Sequence, residues 1–492
     1  MSRRGFSAYW LLPVLLAGIQ AWVSWGFCHE IRGEELAESV RNVYWLEHRL
    51  LYDGVSSNVG WYATLLLFYK LCGFSLYSAK VVRLIFQLIG LTCAADLLRR
   101  NLGAKMAVVP LLLFGLSPTV LYFGAMQTSF GLDFPFAAIC LWLLLASLRP
   151  GGANPGGCAL AFLGGLLAMV AALSYPGFLL YFPSFAVVLF CAPAGERPAT
   201  PPDRRARWLR ALGVSAGLVL PFAAALLYVS PARMLLYDPA THSGVFRGGG
   251  QIGFDLPTAR HSLAVVLRDL FVRGESYYFE LHRPEFSGWL APIGLGWVGL
   301  TVAYLGVKRR VSRLAVGAAL LLLALNLILP NLSVNGLPGL RRCTGVIVAC
   351  FVLFTLAWAY YAGPNGLSRW RRRAGMALCL LLPLSSALKL PSLLADASRD
   401  SQYRVGDWFA LRGTPTASLA YVIDQVDRGR VLAYYSRDGG VVPCRYQEIY
   451  AAVAGSRLWN RQEDAPILAR DWRTGQVIRL TPELWTSYYF PH

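Results

Sequence analysis

Six ionisable residues crowd into positions 29–38, directly after the first long apolar run: His29, Glu30, Arg32, Glu34, Glu35 and Glu38. Carboxylates at the mouth of a membrane helix are costly unless hydrated, paired or put to use. Beside lipid their pKa rises toward a working range, which suits one of them to take a proton from an attacking hydroxyl. The plain alternative is a solvated helix face, with Glu30, Glu34 and Arg41 turned to water. His29-Glu30 does not begin a zinc-protease motif, because residue 33 is Gly, not His.

The elements that must position this cluster are helical and apolar. Of 492 residues, 56% are hydrophobic and 15% charged, and the apolar residues fall in runs of about twenty, the length a helix needs to cross a bilayer. The runs 8–27, 79–98, 104–123, 130–148, 157–173, 176–192, 209–229, 288–307, 313–331, 343–361 and 374–394 predict an α-helical polytopic membrane protein with about eleven transmembrane helices. The net charge of +19 would suit nucleic acid, but its placement argues against that partner. Arg99, Arg100 and Lys105, then Arg149, Arg204–Arg210, Lys308–Arg313 and Arg369–Arg373 occupy alternate loops, as cytoplasmic loops do. The N-terminus is then cytoplasmic, and loops 28–78 and 230–287 and the C-terminus are extracytoplasmic. The expected location is a bacterial inner (cytoplasmic) membrane.

Residues 1–395 read as the transmembrane domain. Past Asp396 charge rises and apolar runs shorten, predicting a small soluble extracytoplasmic α/β domain over 396–492. Strands are expected at Arg430–Tyr435, Pro466–Trp472 and Gln476–Leu480, the last two joined as a hairpin at Thr474-Gly475. In the first loop, Leu36, Val40, Val43, Leu46 and Leu50 recur at helical spacing and predict a surface helix. A second apolar stretch, Trp61–Leu71, is too short to cross and reads as an interfacial helix ending at Gly73.

Arg341 and Arg342 precede a late span on the side where arginines are not expected, so they suit phosphate contact; the alternative is snorkelling to the interface. Arg83 carries the same two readings. Tyr277 and His282 in the second long loop suit a sugar or lipid site, or an aromatic belt. Gln127 is a candidate from position alone.

The stretch His29-Glu30-Ile31-Arg32-Gly33-Glu34-Glu35-Leu36-Ala37-Glu38 resembles the Asp-Glu-Ala-Arg-Tyr-Ala-Glu-Ile-Ala-Arg signature of GT-C glycosyltransferases, in the branch of protein O-mannosyltransferases and the bacterial lipid A aminoarabinose transferase. Gly73-Phe74-Ser75 with Ala79 and Arg83-Leu84, then Ser117-Pro118, then Leu340-Arg341-Arg342-Cys343-Thr344-Gly345 are similar to later motifs of that family, in the same order. The resemblance implies a donor sugar on a polyprenyl phosphate and an acceptor hydroxyl on a lipid, glycan or protein. It implies a carboxylate base from the first loop, inversion at the anomeric carbon, and positive charge or a divalent cation (Mg or Mn) for the departing phosphate. Glu30 matches an acidic family position and is the candidate base and the one candidate metal ligand, with Glu34, Glu35 and His29 beside it. Two departures stand out. His29 replaces the family's leading Asp, and after Ser117-Pro118 the family's second acid is missing, Asp133 coming several residues late.

Three rivals compete with this reading. A non-catalytic relative would tolerate the lost acids. A lipid-linked-glycan polymerase or ligase would use a similar donor but place its key residues in a late loop. A transporter would need deep, paired charges, and the sequence offers Asp133 and Lys389.

Overall fold

A computed structural model of the chain describes residues 8–24, 39, 42–51, 58–73, 78–125, 128–148, 155–191, 204–228, 260, 289–308, 310–328, 344–363, 366–399, 417–418, 432–436, 441–444, 467–471 and 477–480. In chain order they form α1 (Leu11–Trp22), α2 (Asn42–Glu47), β1 (Leu50–Leu51), α3 (Val59–Cys72), α4 (Ser78–Leu102), α5 (Ala104–Gly115), α6 (Pro118–Ala125) and α7 (Asp133–Ser147). These are followed by α8 (Pro155–Ser174), a 3-10 turn at Pro176–Tyr181, α9 (Phe182–Cys191), α10 (Arg204–Tyr228), α11 (Leu290–Lys308), α12 (Arg310–Ile328), α13 (Thr344–Ala362) and α14 (Arg369–Arg399). Five short strands close the chain: β2 (Ala417–Ser418), β3 (Leu432–Ser436), β4 (Val441–Cys444), β5 (Ile467–Asp471) and β6 (Val477–Leu480).

A helix overlaps each of the apolar runs expected to span. Among the described residues, six helices are long and apolar enough to cross a membrane, and a seventh span results if α5 and α6 count as one. The fold is that of a helical membrane protein. Apolar side chains such as Leu212, Leu300 and Leu388 stay exposed on the bundle's flanks, which lipid tolerates and water would not.

The third expected span, 104–123, is not one helix. It breaks between α5 and α6 with a bend of 54°. Pro118 explains the break: it has no N–H to give and it pushes Ser117 out of helical geometry. The same proline starts α6 well, and Ser117 Oγ caps it by accepting the Val120 N–H at 3.2 Å. All eight residues of α6 are buried.

Glycines set the closest helix contact. α10 carries Gly213 and Gly217, one turn apart, and packs along α8 at Gly165. A Cβ on Gly217 would overlap the Phe162 carbonyl, and one on Gly165 the Val214 carbonyl, so only bare backbones approach this closely. At the end of the bundle where α4 meets α5, Asp96 is ion-paired with Arg99 (3.1 Å) and Arg100 (2.5 Å) and accepts the Trp142 indole N–H at 2.8 Å. Arg99 also lies 5.1 Å over the Trp10 ring, and Tyr9 Oη donates to Ala95 O. The cations thus close the C-terminal turn of α4, where the helix dipole favours them.

In the first loop, the described helix α2 buries Val43 and Leu46 but stops at Glu47. Leu50, expected on the same helical stripe, belongs to β1 instead, because Arg49 turns the chain with φ 56°. α3 is the expected short helix: Trp61, Tyr62, Leu65 and Tyr69 are buried, Leu67 and Leu71 exposed, and Gly73 (φ 84°) ends it. β5 and β6 form the expected antiparallel hairpin, with Ile467 opposite Leu480. Its sheet has the order β1-β5-β6, so the first loop supplies an edge strand, with Leu50 opposite Asp471. A second sheet, β2-β3-β4, contains the strand expected near Arg430–Tyr435. The expected turn at Thr474-Gly475 lies outside the described residues.

The glycine contact makes a paired prediction. Gly217→Ala should lower stability by about 1–3 kcal/mol through overpacking. Gly299→Ala, where nothing lies within 4 Å of the new methyl, should be neutral or slightly stabilising. Thermal unfolding of the detergent-purified variants checks this; equal shifts would contradict the packing.

Candidate functional site

The break after α5 leaves α6 ending inside the protein, and a helix end leaves carbonyls without partners. In an apolar surround each such group costs several kcal/mol if left alone. Side chains from α1 and α4 supply the donors. Ser24 Oγ, just past α1, reaches the terminal Ala125 O (3.2 Å), and Gln20 Nε2 adds a side-chain bond to the Val120 (3.1 Å) and Leu121 (3.3 Å) carbonyls within the helix. Gly124 permits this approach, since a Cβ there would overlap the Gln20 carboxamide.

Arg83 continues the series. Its two terminal nitrogens donate to the Thr128 and Phe130 carbonyls in the α6–α7 connection. Gly131 (φ 71°) completes that connection, and a side chain on it would press against Phe123 and Arg83. Lys80, one turn earlier on α4, donates from Nζ to Ser24 O at 3.1 Å. Both cations are buried, Lys80 at 1% and Arg83 at 2% exposure.

The same end holds a buried carboxylate. Asp133 opens α7, and its Oδ2 accepts the Tyr181 hydroxyl at 2.7 Å. Thr344, the first residue of α13, faces the same carboxyl group, and Arg83 lies within electrostatic range. Among the described residues, neither Asp133 Oδ1 nor the Thr128 hydroxyl has a hydrogen-bond partner. α3 is held in place by its own contacts: Asn42 donates to Tyr62 Oη at 3.1 Å, Tyr69 donates to Ser39 O at 2.5 Å, and Gly60 sits against Ser174.

Three helices, α4, α7 and α13, begin at this cluster, so their positive dipole ends converge with Lys80 and Arg83. Among the described residues, Asp133, Lys80 and Arg83 gather here. The described side chains are shielded from water, and buried cations at helix N-termini are chemistry that suits an anionic group such as a phosphate.

Of the residues predicted from sequence, Arg83 falls inside this cluster. His29, Glu30, Arg32, Glu34, Glu35, Gln127, Tyr277, His282, Arg341 and Arg342 lie outside the described residues. Sequence reasoning missed Lys80, Tyr181 and Thr344. Lys80 had a readable signal, being placed three residues before Arg83 at the start of an apolar run. The count of deep charges also needs correction: besides Asp133, the protein buries Lys80, Arg83, Asp96 and Arg210, while Lys389 is only half-buried. Among the described residues no three His, Cys, Asp or Glu side chains gather as a metal site.

The sequence matches no family model and no curated protein. Among solved structures, the fold is similar to the crystal structure of ArnT from Cupriavidus metallidurans bound to undecaprenyl phosphate, at 12% identity and TM-score 0.49, over 84% of this chain and 82% of that one.

If Arg83 holds the α6–α7 connection, Arg83→Met removes its bonds to two buried carbonyls and should cost about 2–6 kcal/mol. Arg83→Lys should recover part of that loss. Unfolding midpoints of purified protein decide it; a Met variant as stable as the parent would show that the guanidinium serves a ligand rather than the backbone.

Proposed function

We propose that this protein is a membrane glycosyltransferase of the GT-C kind. It moves a sugar from a polyprenyl-phosphate donor to an acceptor hydroxyl on the extracytoplasmic side of the membrane. One observation carries the reading: two buried cations, Lys80 and Arg83, gathered where three helices begin. In this reading those cations serve the departing phosphate and the first loop supplies the carboxylates. That pairing is what transfer from a lipid phosphate needs, a base for the attacking hydroxyl and stabilisation for the departing anion.

Glu30 takes the acceptor proton as the acceptor oxygen attacks the anomeric carbon, with Glu34 or Glu35 in reserve and His29 and Arg32 alongside. The new C–O bond forms on the face opposite the bond that breaks, and its electron pair leaves with the lipid phosphate. Inversion follows from that geometry. Arg341 and Arg342 meet the phosphate as α13 begins, and Gln127, Tyr277 and His282 bind sugar or lipid. A divalent cation, if bound at Glu30, would add charge stabilisation; no proton or bond in the scheme depends on it. The pairing of β1 with β5 supports placing the first loop and the C-terminal hairpin on one side of the membrane, since paired strands cannot lie on opposite faces.

Glu30→Gln keeps the shape and removes the base. Its transfer rate from a polyprenyl-phosphate sugar should fall about 10²–10⁴-fold with little change in donor binding. Unimpaired transfer by Gln variants at Glu30, Glu34 and Glu35 alike would remove the first loop from the chemistry.

A further inference from the structure

The chain passes from Arg341-Arg342 into α13 through Cys343, and the first turn of that helix is gripped from two sides. On one side, Thr344, 1% exposed, faces the Asp133 carboxyl, which also accepts the Tyr181 hydroxyl. On the other, Gly345 lies so close to Asn326 of α12 that a Cβ would overlap the carboxamide. Asn326 has little room to yield: it is 2% exposed, and its Nδ2 is bonded to Leu322 O at 3.0 Å.

Burying a carboxylate here is expensive, and an apolar side chain of similar volume would serve stability at least as well. A carboxylate at the start of α13 does one thing an apolar residue cannot: it draws the positive end of that helix, and Thr344 with it, to a fixed point. The bare Cα of Gly345 lets α12 set the distance from the opposite side.

We propose that Asp133, Thr344, Gly345 and Asn326 form a clamp that positions the start of α13, and so presents Arg341 and Arg342 to the donor phosphate. This rests on those arginines being phosphate ligands. Asp133 is in this account a positioning residue and not the base, and it lies where sequence reasoning found an acid several residues too late. Bidentate recognition by arginine is sensitive to small displacements, and a shift of about 1 Å can cost up to 10²-fold.

The test is binding of undecaprenyl phosphate to the full-length protein in nanodiscs, with thermal unfolding of each preparation. Gly345→Ala should weaken binding about tenfold or more, because the added methyl drives α13 away from Asn326. Asn326→Ala combined with Gly345→Ala restores the room and should restore most of the affinity. Asp133→Asn, equal in shape, should also weaken binding. Gly217→Ala, remote from the clamp, should lose stability and keep its affinity, which separates positioning from general loosening. Parent-like binding by both Gly345→Ala and Asp133→Asn, or no recovery in the double variant, overturns the clamp. The paired variant Arg341→Ala/Arg342→Ala runs in parallel: if it binds like the parent, the phosphate assignment itself falls and the clamp with it. If it loses binding while the clamp variants do not, the clamp alone is wrong.

Discussion

Backbone carbonyls stranded inside an apolar bundle must find donors, and in this protein that constraint organises one whole end of the fold. Pro118 breaks what would be a continuous span, and α6 then ends within the protein. Its terminal Ala125 carbonyl takes Ser24, just past α1, the following connection takes Arg83 from α4, and Gln20 of α1 adds a bond to carbonyls inside α6. Those contacts bind α1, α4, α6 and α7 into one unit. An unbroken helix would have satisfied itself and left the arginine without cause to be there.

Meeting that need leaves a second consequence. Two cations, Lys80 and Arg83, donate to backbone carbonyls here and lie buried where three helices begin. Asp133 offsets part of that charge and ties α7 to Tyr181 and Thr344. Under the proposed function, an anion entering this end would meet helix N-termini and buried cations. Under the proposed function, the cations that serve these carbonyls would also receive the donor phosphate.

The sequence disclosed what depends on local periodicity. Apolar runs located the helices, Trp61–Leu71 announced α3, and alternating residues with Thr474-Gly475 announced the β5–β6 hairpin. Ser117-Pro118 was legible as a motif, but a twenty-residue apolar window hid the break it causes. Leu50 fitted a helical stripe, and only pairing with β5, distant in sequence, draws it into a strand. The same applies to the candidate site. Arg83 stood out as a cation in an apolar setting, while its partners, carbonyls of Thr128 and Phe130, carry no sequence signal. Asp133 was noticed and set aside because its value lies in contacts with Tyr181 and Thr344 that no local spacing reveals.

The central claim is that this end of the bundle recognises the phosphate of a polyprenyl lipid, not merely its tail. The direct measurement compares binding of undecaprenyl phosphate with binding of undecaprenol, its phosphate-free alcohol, to the purified protein in nanodiscs over a range of salt concentrations. The account predicts that the phosphate lipid binds at least about tenfold tighter, with the preference persisting at high salt because a buried site is weakly screened. Equal affinity for the two lipids would contradict it.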